Sequence, residues 1–161
     1  MYKTGLGFDI HRLQQGRKLY LGGVAIPFSK GLAGHSDGDC LIHAIIDSLL
    51  GACGEQDIGH LFPDVDPQYK DRCSLDLLKE TMLILGAKKV EIVNIDTIII
   101  AEEPKIAPYI SQMKKILCPV LKLEEENLAI KAKTYEGLGV IGRGEAIACW
   151  AQALIKIEKN I

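Results

Sequence analysis

The chain has 161 residues, 48% of them hydrophobic and 25% charged, with a formal net charge of -2. That suits one compact domain over 1–161, and it leaves no basic excess to hold nucleic acid. No apolar run approaches the roughly 20 residues a membrane helix needs, and the first residues lack the basic-then-apolar layout of a signal peptide.

In chain order, residues 2–10 read as a first strand and 19–26 as a second, broken by a bulge or turn at Gly22-Gly23. Residues 36–50 give the clearest helix, with Ser36 as N-cap, Asp39 at the capping-box position and Gly51 as the stop. A second helix is expected over 74–85, stopped by Gly86. Residues 90–101 are β-branched and alternating enough for a buried strand. Residues 104–121 read as helical, with Pro104 or Pro108 in the first turn. Strands over 128–134 and 146–157 close the chain. This mixed order predicts an α+β sandwich, one sheet with helices on one face.

Five cysteines, Cys40, Cys53, Cys73, Cys118 and Cys149, are odd in number and form no CxxC pair. They argue against a disulfide framework or a cysteine zinc ribbon. The expected compartment is a reducing cytoplasm; a mature plastid-type form would look the same.

The strongest chemical signal is Asp9-x-His11 together with His43. Residues two apart on a strand share a face, so Asp9 and His11 can converge on one ion. His43, early in the predicted helix, can complete the set. Two imidazoles and a carboxylate suit catalytic zinc with an open fourth position, and the same donors can hold Fe(II) or Mn(II). Asp39 and Asp47 lie four residues either side of His43, placed to orient its ring. Spacing alone does not bring strand and helix together.

Other segments suit anions. The loop from Gly34 through His35, Ser36, Asp37 and Gly38 runs into a helix N-terminus, where free N–H groups and the helix dipole favour phosphate. Asp57-Ile58-Gly59 and Phe62-Pro63-Asp64-Val65-Asp66 form a turn-rich connection of the kind that carries function. Ala132, Lys133, Thr134 and Glu136 end a strand with a hydroxyl for phosphate and a carboxylate for Mg²⁺. Arg143 sits in a glycine-flanked turn, able to fork onto phosphate or carboxylate.

In this order, Gly7-Phe8-Asp9-Ile10-His11, the run from Ser36 to Ala44, Asp57-Ile58-Gly59, Phe62-Pro63-Asp64, Pro104-Lys105, the run from Lys131 to Thr134, and Gly142-Arg143-Gly144-Glu145 resemble the 2-C-methyl-D-erythritol 2,4-cyclodiphosphate synthase family over nearly the whole chain. The resemblance implies a four-stranded mixed sheet beside helices. It implies a homotrimer with the sheets toward the three-fold axis and active sites at subunit interfaces. The implied reaction converts 4-diphosphocytidyl-2-C-methyl-D-erythritol 2-phosphate to the cyclic diphosphate plus CMP, in the non-mevalonate route to isoprenoid precursors.

By position, the resemblance makes Asp9, His11 and His43 the ligands of one zinc ion per subunit. Glu136 becomes a ligand of Mg²⁺ or Mn²⁺ on the substrate diphosphate. His35 and Thr134 would steady the reacting phosphates. Asp57 and Gly59 would contact the methylerythritol portion, with the loop of Phe62, Pro63, Asp64, Val65 and Asp66 close by, and Ser36 and Ile58 would also bind substrate. Ala101, Pro104, Lys105, Ile106, Ala107, Ala132 and Lys133 would form the cytidine pocket, with Arg143 as a further contact. Lys133 departs from the Thr common in the family, and Val140 stands where some relatives carry a larger aromatic near the trimer axis. A metal-dependent phosphoester hydrolase and a non-enzymatic assembly with structural metal are the rival readings of the same residues.

Overall fold

The computed structural model describes residues 1–63 and 72–157. Strand β1 runs over Tyr2–Gln15, β2 over Leu19–Leu21, β3 over Val24–Ile26 and β4 over Lys30–Leu32. Helix α1 spans Cys40–Cys53, α2 Ile58–Leu61 and α3 Ser74–Ala87. Then come β5 (Val90–Ile100), α4 (Ile110–Leu121), β6 (Leu128–Lys133), α5 (Gly139–Gly142) and β7 (Ala146–Ile157).

The main sheet has five strands in the order β4-β1-β7-β5-β6. Only β5 and β6 pair in parallel, which requires a crossover, and α4 lies on it. The α+β class stands, but the sheet has five strands rather than four. The extra one is β4, whose three residues pair with Leu13, Gln14 and Gln15 at the far end of β1. So short a segment carries no alternation to read, and its partner exists only because β1 continues past residue 10. The expected second strand is instead a separate hairpin of β2 and β3, turned by Gly22 and Gly23, both at positive φ.

Alternation along β1 decides which face meets the helices. Gly5, Gly7, Asp9 and His11 look toward α1, while Tyr2, Leu6, Phe8 and Ile10 are exposed on the other side. The helix-covered side holds the core, in which α1 contributes Leu41, Ile42, Ile45, Ile46, Leu49 and Leu50, each at most 1% exposed. At roughly 1.5–3 kcal/mol per fully buried aliphatic side chain, this helix face is a principal source of hydrophobic stabilisation.

The boundaries of α1 differ from the sequence reading for a local reason. Gly38 adopts φ 72, so the helix cannot start at Ser36. Asp39 caps it instead, accepting from Ile42 N. Gly51 stays helical, and Gly54, at φ 76, ends the helix in a left-handed cap. The 104–121 segment is likewise shorter as a helix: Glu103–Pro104 is cis, a 3-10 turn covers Ala107–Tyr109, and α4 begins at Ile110.

Candidate metal centre and cleft

Close packing of α1 on β1 creates the site. A β-carbon at Gly5 would fall 1.9 Å from Ser48 O, and one at Gly7 the same distance from Ala44 O. With no side chain between them, helix and strand touch backbone to backbone, and the next inward residues on the strand, Asp9 and His11, reach His43. On a helix otherwise buried over 40–50, only His43 and Asp47 are half-exposed. Four residues apart, they face the same cleft.

Asp9 Oδ2 lies 2.8 Å from His11 Nε2 and 2.9 Å from His43 Nδ1, and the two nitrogens are 3.3 Å apart. Among the described residues this is the one group of three such donors close enough to share an ion. Ligands bound tetrahedrally at about 2.0–2.1 Å stand roughly 3.3–3.4 Å apart. A small outward shift of the carboxylate therefore admits a zinc ion.

The outer nitrogens are already engaged. His11 Nδ1 meets Ala33 O at 2.5 Å, and His43 Nε2 meets Ser74 Oγ at 2.9 Å. With protons on those nitrogens, three lone pairs converge on one point, an arrangement that a cation satisfies. Burial opposes charge on Asp9, but hydrogen bonds and charge from His11 and His43 outweigh it and hold the carboxyl far below the usual carboxylate range. Burial likewise pulls His11 down, and Asp9 with the Ala33 carbonyl outweighs it, so its pKa is raised.

Neither acid expected to orient His43 does so. Asp39 is fully buried and accepts from Gly22 N, Gly23 N and Ile42 N, tying the β2–β3 turn to the start of α1. Asp47 accepts from Ile58 N at 2.8 Å. It thereby anchors α2 beside α1, and burial pushes its carboxyl above the usual range.

The cleft above the three donors has a volume of about 220 Å³ and is lined further by Gly34, His35, Ser36, Ile58, Gly59, Phe62 and Leu77. Gly34 packs tightly here: a β-carbon would lie 3.2 Å from the His11 ring, so a side chain would require that ring to give by a few tenths of an ångström. Arg17 donates to Ser36 O at 3.0 Å and fixes the His35–Ser36 loop. Asp57 caps α2 and pairs with His60 at 2.8 Å, adjacent to the cleft but outside its lining. Pro63 follows Phe62; Asp64, Val65 and Asp66 lie outside the described residues.

The remaining candidates gather elsewhere. Ile100 pairs with Lys133, and Ala101 N donates to Lys133 O. This places Ala101 beside Lys133 at the end of the parallel pair, with Pro104, Lys105, Ile106 and Ala107 following in the connection to α4 and Thr134 next along the chain from Lys133. Thr134 Oγ1 donates to Glu136 Oε1 at 2.8 Å, and Glu136 itself sits at φ 53. Glu102, which no motif marked, accepts from Tyr135 N and Gly137 N and holds this turn. Arg143 closes the same excursion and pairs with Glu145 at 2.7 Å.

Through Ile100, Ala148 and Ile10, this cluster lies level with His11 along the strands. Across the sheet, however, β6 is three strand positions from β1, roughly 14 Å at 4.7–4.9 Å per strand. One chain therefore presents the sequence candidates as two separate clusters. Leu77 of the cleft and Ser74 behind His43 carry no sequence signal, because nothing in their spacing distinguishes them from the core face of α3.

Residues 2–156 match the YgbB family. A 2-C-methyl-D-erythritol 2,4-cyclodiphosphate synthase of Caldicellulosiruptor bescii is 56% identical over 155 residues, which are 96% of this chain and 99% of that protein. Among solved structures, IspF of Plasmodium falciparum in a CDP complex aligns with a TM-score of 0.85 at 37% identity, over 98% of this chain and 97% of that one. The bifunctional IspDF of Campylobacter jejuni aligns with a TM-score of 0.93 at 38% identity over 99% of this chain, which spans only 43% of that protein's length.

Proposed function

We infer that this chain, which belongs to the YgbB family, catalyses the cyclodiphosphate synthase reaction of isoprenoid precursor biosynthesis. It converts 4-diphosphocytidyl-2-C-methyl-D-erythritol 2-phosphate to 2-C-methyl-D-erythritol 2,4-cyclodiphosphate and CMP. The observation that carries this reading is the meeting of Asp9, His11 and His43 at the floor of an open cleft.

In the reaction an oxygen of the 2-phosphate attacks the β-phosphorus of the diphosphate, the bond to the α-phosphate oxygen breaks, and CMP leaves. The nucleophile is already anionic near neutral pH, so the chain needs no general base. Its task is to bring two anions together, by positioning and by placing positive charge. Asp9, His11 and His43 would hold zinc, and Glu136 would hold Mg²⁺ or Mn²⁺ through one carboxylate, as magnesium shared with a phosphate usually is. Bound there, the two ions supply a Lewis acid for a phosphate oxygen and charge neutralisation for the departing CMP.

The chain's own groups do the rest. His35 and Thr134 steady the phosphates. Asp57 and Gly59 contact the methylerythritol portion, with Ser36, Ile58, Phe62 and Pro63 beside them. Ala101, Pro104, Lys105, Ile106, Ala107, Ala132 and Lys133 take the cytidine, and Arg143 adds a contact. The CDP bound by the Plasmodium falciparum relative fits a nucleotide-linked substrate.

Two phosphates cannot span the 14 Å or so between half-sites on one sheet, which supports a homotrimer in which one subunit's cleft meets its neighbour's Thr134–Glu136 turn. The bare sheet face supports it too. Leu6, Phe8, Ile10 and Trp150 are 40–65% exposed there, a contiguous apolar surface of the kind that marks an interface. Turned toward a three-fold axis, these faces cover one another. No described helix is long and apolar enough to cross a membrane, and a cytoplasmic setting fits five free cysteines.

The test is a product assay followed by phosphorus NMR, with the cytidyl-diphosphate substrate, Zn²⁺ and Mg²⁺. A cyclic diphosphate with equimolar CMP, lost on chelation, is expected. A linear product or free phosphate from folded, metal-loaded protein would move the reading to a hydrolase.

A further inference from the structure

We propose that Ser74 and Asp37 are positioning residues that keep a proton on Nε2 of His43 and so leave Nδ1 as the nitrogen that binds metal. The inference rests on the metal-site reading of Asp9, His11 and His43. Neither residue belongs to the cleft lining. They reach the metal centre from behind, through the far nitrogen of His43.

The argument is one of proton accounting. Ser74 is the first residue of α3 and is fully buried. Its hydroxyl donates to Asp37 Oδ1, and its backbone N–H donates to Asp37 Oδ2 at 3.1 Å. The carboxylate can only accept. The single proton of the Ser74 hydroxyl is thus committed to Asp37, and the oxygen turns a lone pair outward. That lone pair faces His43 Nε2 at 2.9 Å. Nε2 of the imidazole thus faces an acceptor and carries a proton, while Nδ1 faces the Asp9 carboxylate at 2.9 Å and is the nitrogen whose place a metal ion can take.

Ser36 Oγ, at 3.3 Å from the same nitrogen, is the more distant neighbour; it accepts from Gly38 N, and Ser74 Oγ, 3.5 Å away, can take its proton. Asp37 also accepts from Asp39 N at 3.2 Å, so its orientation is fixed by the loop that starts α1. Cys73, the N-cap of α3, makes no side-chain capping bond; Asp37 fills that role from another part of the chain. One carboxylate thus joins the start of α1, the start of α3 and the metal-facing histidine.

The experiment compares the parent with Ser74→Ala and with the isosteric Asp37→Asn, which cannot accept from all three donors. Two readouts apply to purified metal-free protein: the His43 tautomer from imidazole ¹⁵N shifts, and zinc affinity by competition with a chromophoric chelator. The parent is expected to carry a proton on His43 Nε2. Both variants are expected to lose that preference and to bind zinc about 10–100-fold more weakly. A folded variant that keeps the Nε2–H form, or binds zinc within about twofold of the parent, overturns the inference. If Ser74→Ala does not fold, Asp37→Asn decides by the same readouts. A parent that shows the Nε2–H form yet binds no zinc would sink the metal-site reading while leaving the relay standing.

Discussion

A β-carbon on Gly7 would fall 1.9 Å from the carbonyl oxygen of Ala44, so helix α1 lies directly on strand β1. This contact sets the distance between Asp9 and His43. Gly7→Ala must push backbone away from backbone, because no flexible side chain is there to yield. The expected cost is about 3 kcal/mol, the upper part of the overpacking range. Bound zinc should fall with stability, read by thermal unfolding and metal analysis of the same preparation. A well-folded Gly7→Ala protein with full zinc would show that the contact does not govern the site.

His43→Ala removes one donor of three and opens a half-buried position on α1. Zinc content and turnover should both collapse, while circular dichroism and assembly state remain those of the parent. Full turnover without bound metal would refute the role assigned to the three donors.

Half-sites about 14 Å apart on one sheet make a prediction that no single variant tests. In the proposed homotrimer, His43→Ala would spoil the cleft of its own subunit, and Glu136→Gln would spoil only the turn offered to a neighbour. When the two inactive proteins are mixed and allowed to exchange subunits, half the clefts and half the turns are intact. About a quarter of the sites then pair two intact halves. Activity should rise to that level over the sum of the separate variants. No rise after demonstrated exchange would mean that both halves of a site come from one chain.

In metal-free protein the Asp9–His11 pair should shape stability against pH. Asp9 is depressed from its usual 3.8, so its contribution is present above 3.8 and is lost as pH falls through the lowered folded value. His11 is raised from 6.5, so its contribution is complete below 6.5 and is lost as pH rises through the raised folded value. Urea midpoints should therefore be highest between about pH 4 and 6.5 and decline on both sides. Zinc displaces the His11 proton, so loading the protein should abolish the alkaline decline. An identical profile with and without zinc would count against a metal on His11.

Much of this protein is legible in its residues alone. The β-branched alternation of 90–101 and the apolar run of α1 are local signals, and the strand and the helix they predict are present. The Asp9-x-His11 pair shares a face because strand geometry has a period of two, whatever the surroundings. Other features depended on contacts distant in the chain. Ser36 looked like a cap, but the left-handed turn at Gly38 passes that role to Asp39. Asp47 had the right spacing to serve His43, yet Ile58 N claims it. Ser74 and Asp37, 37 residues apart, carry no joint signal. Hydrogen-bond partners are chosen by proximity in three dimensions, and strand order alone decides that Glu136 stands three strands from His11 rather than beside it.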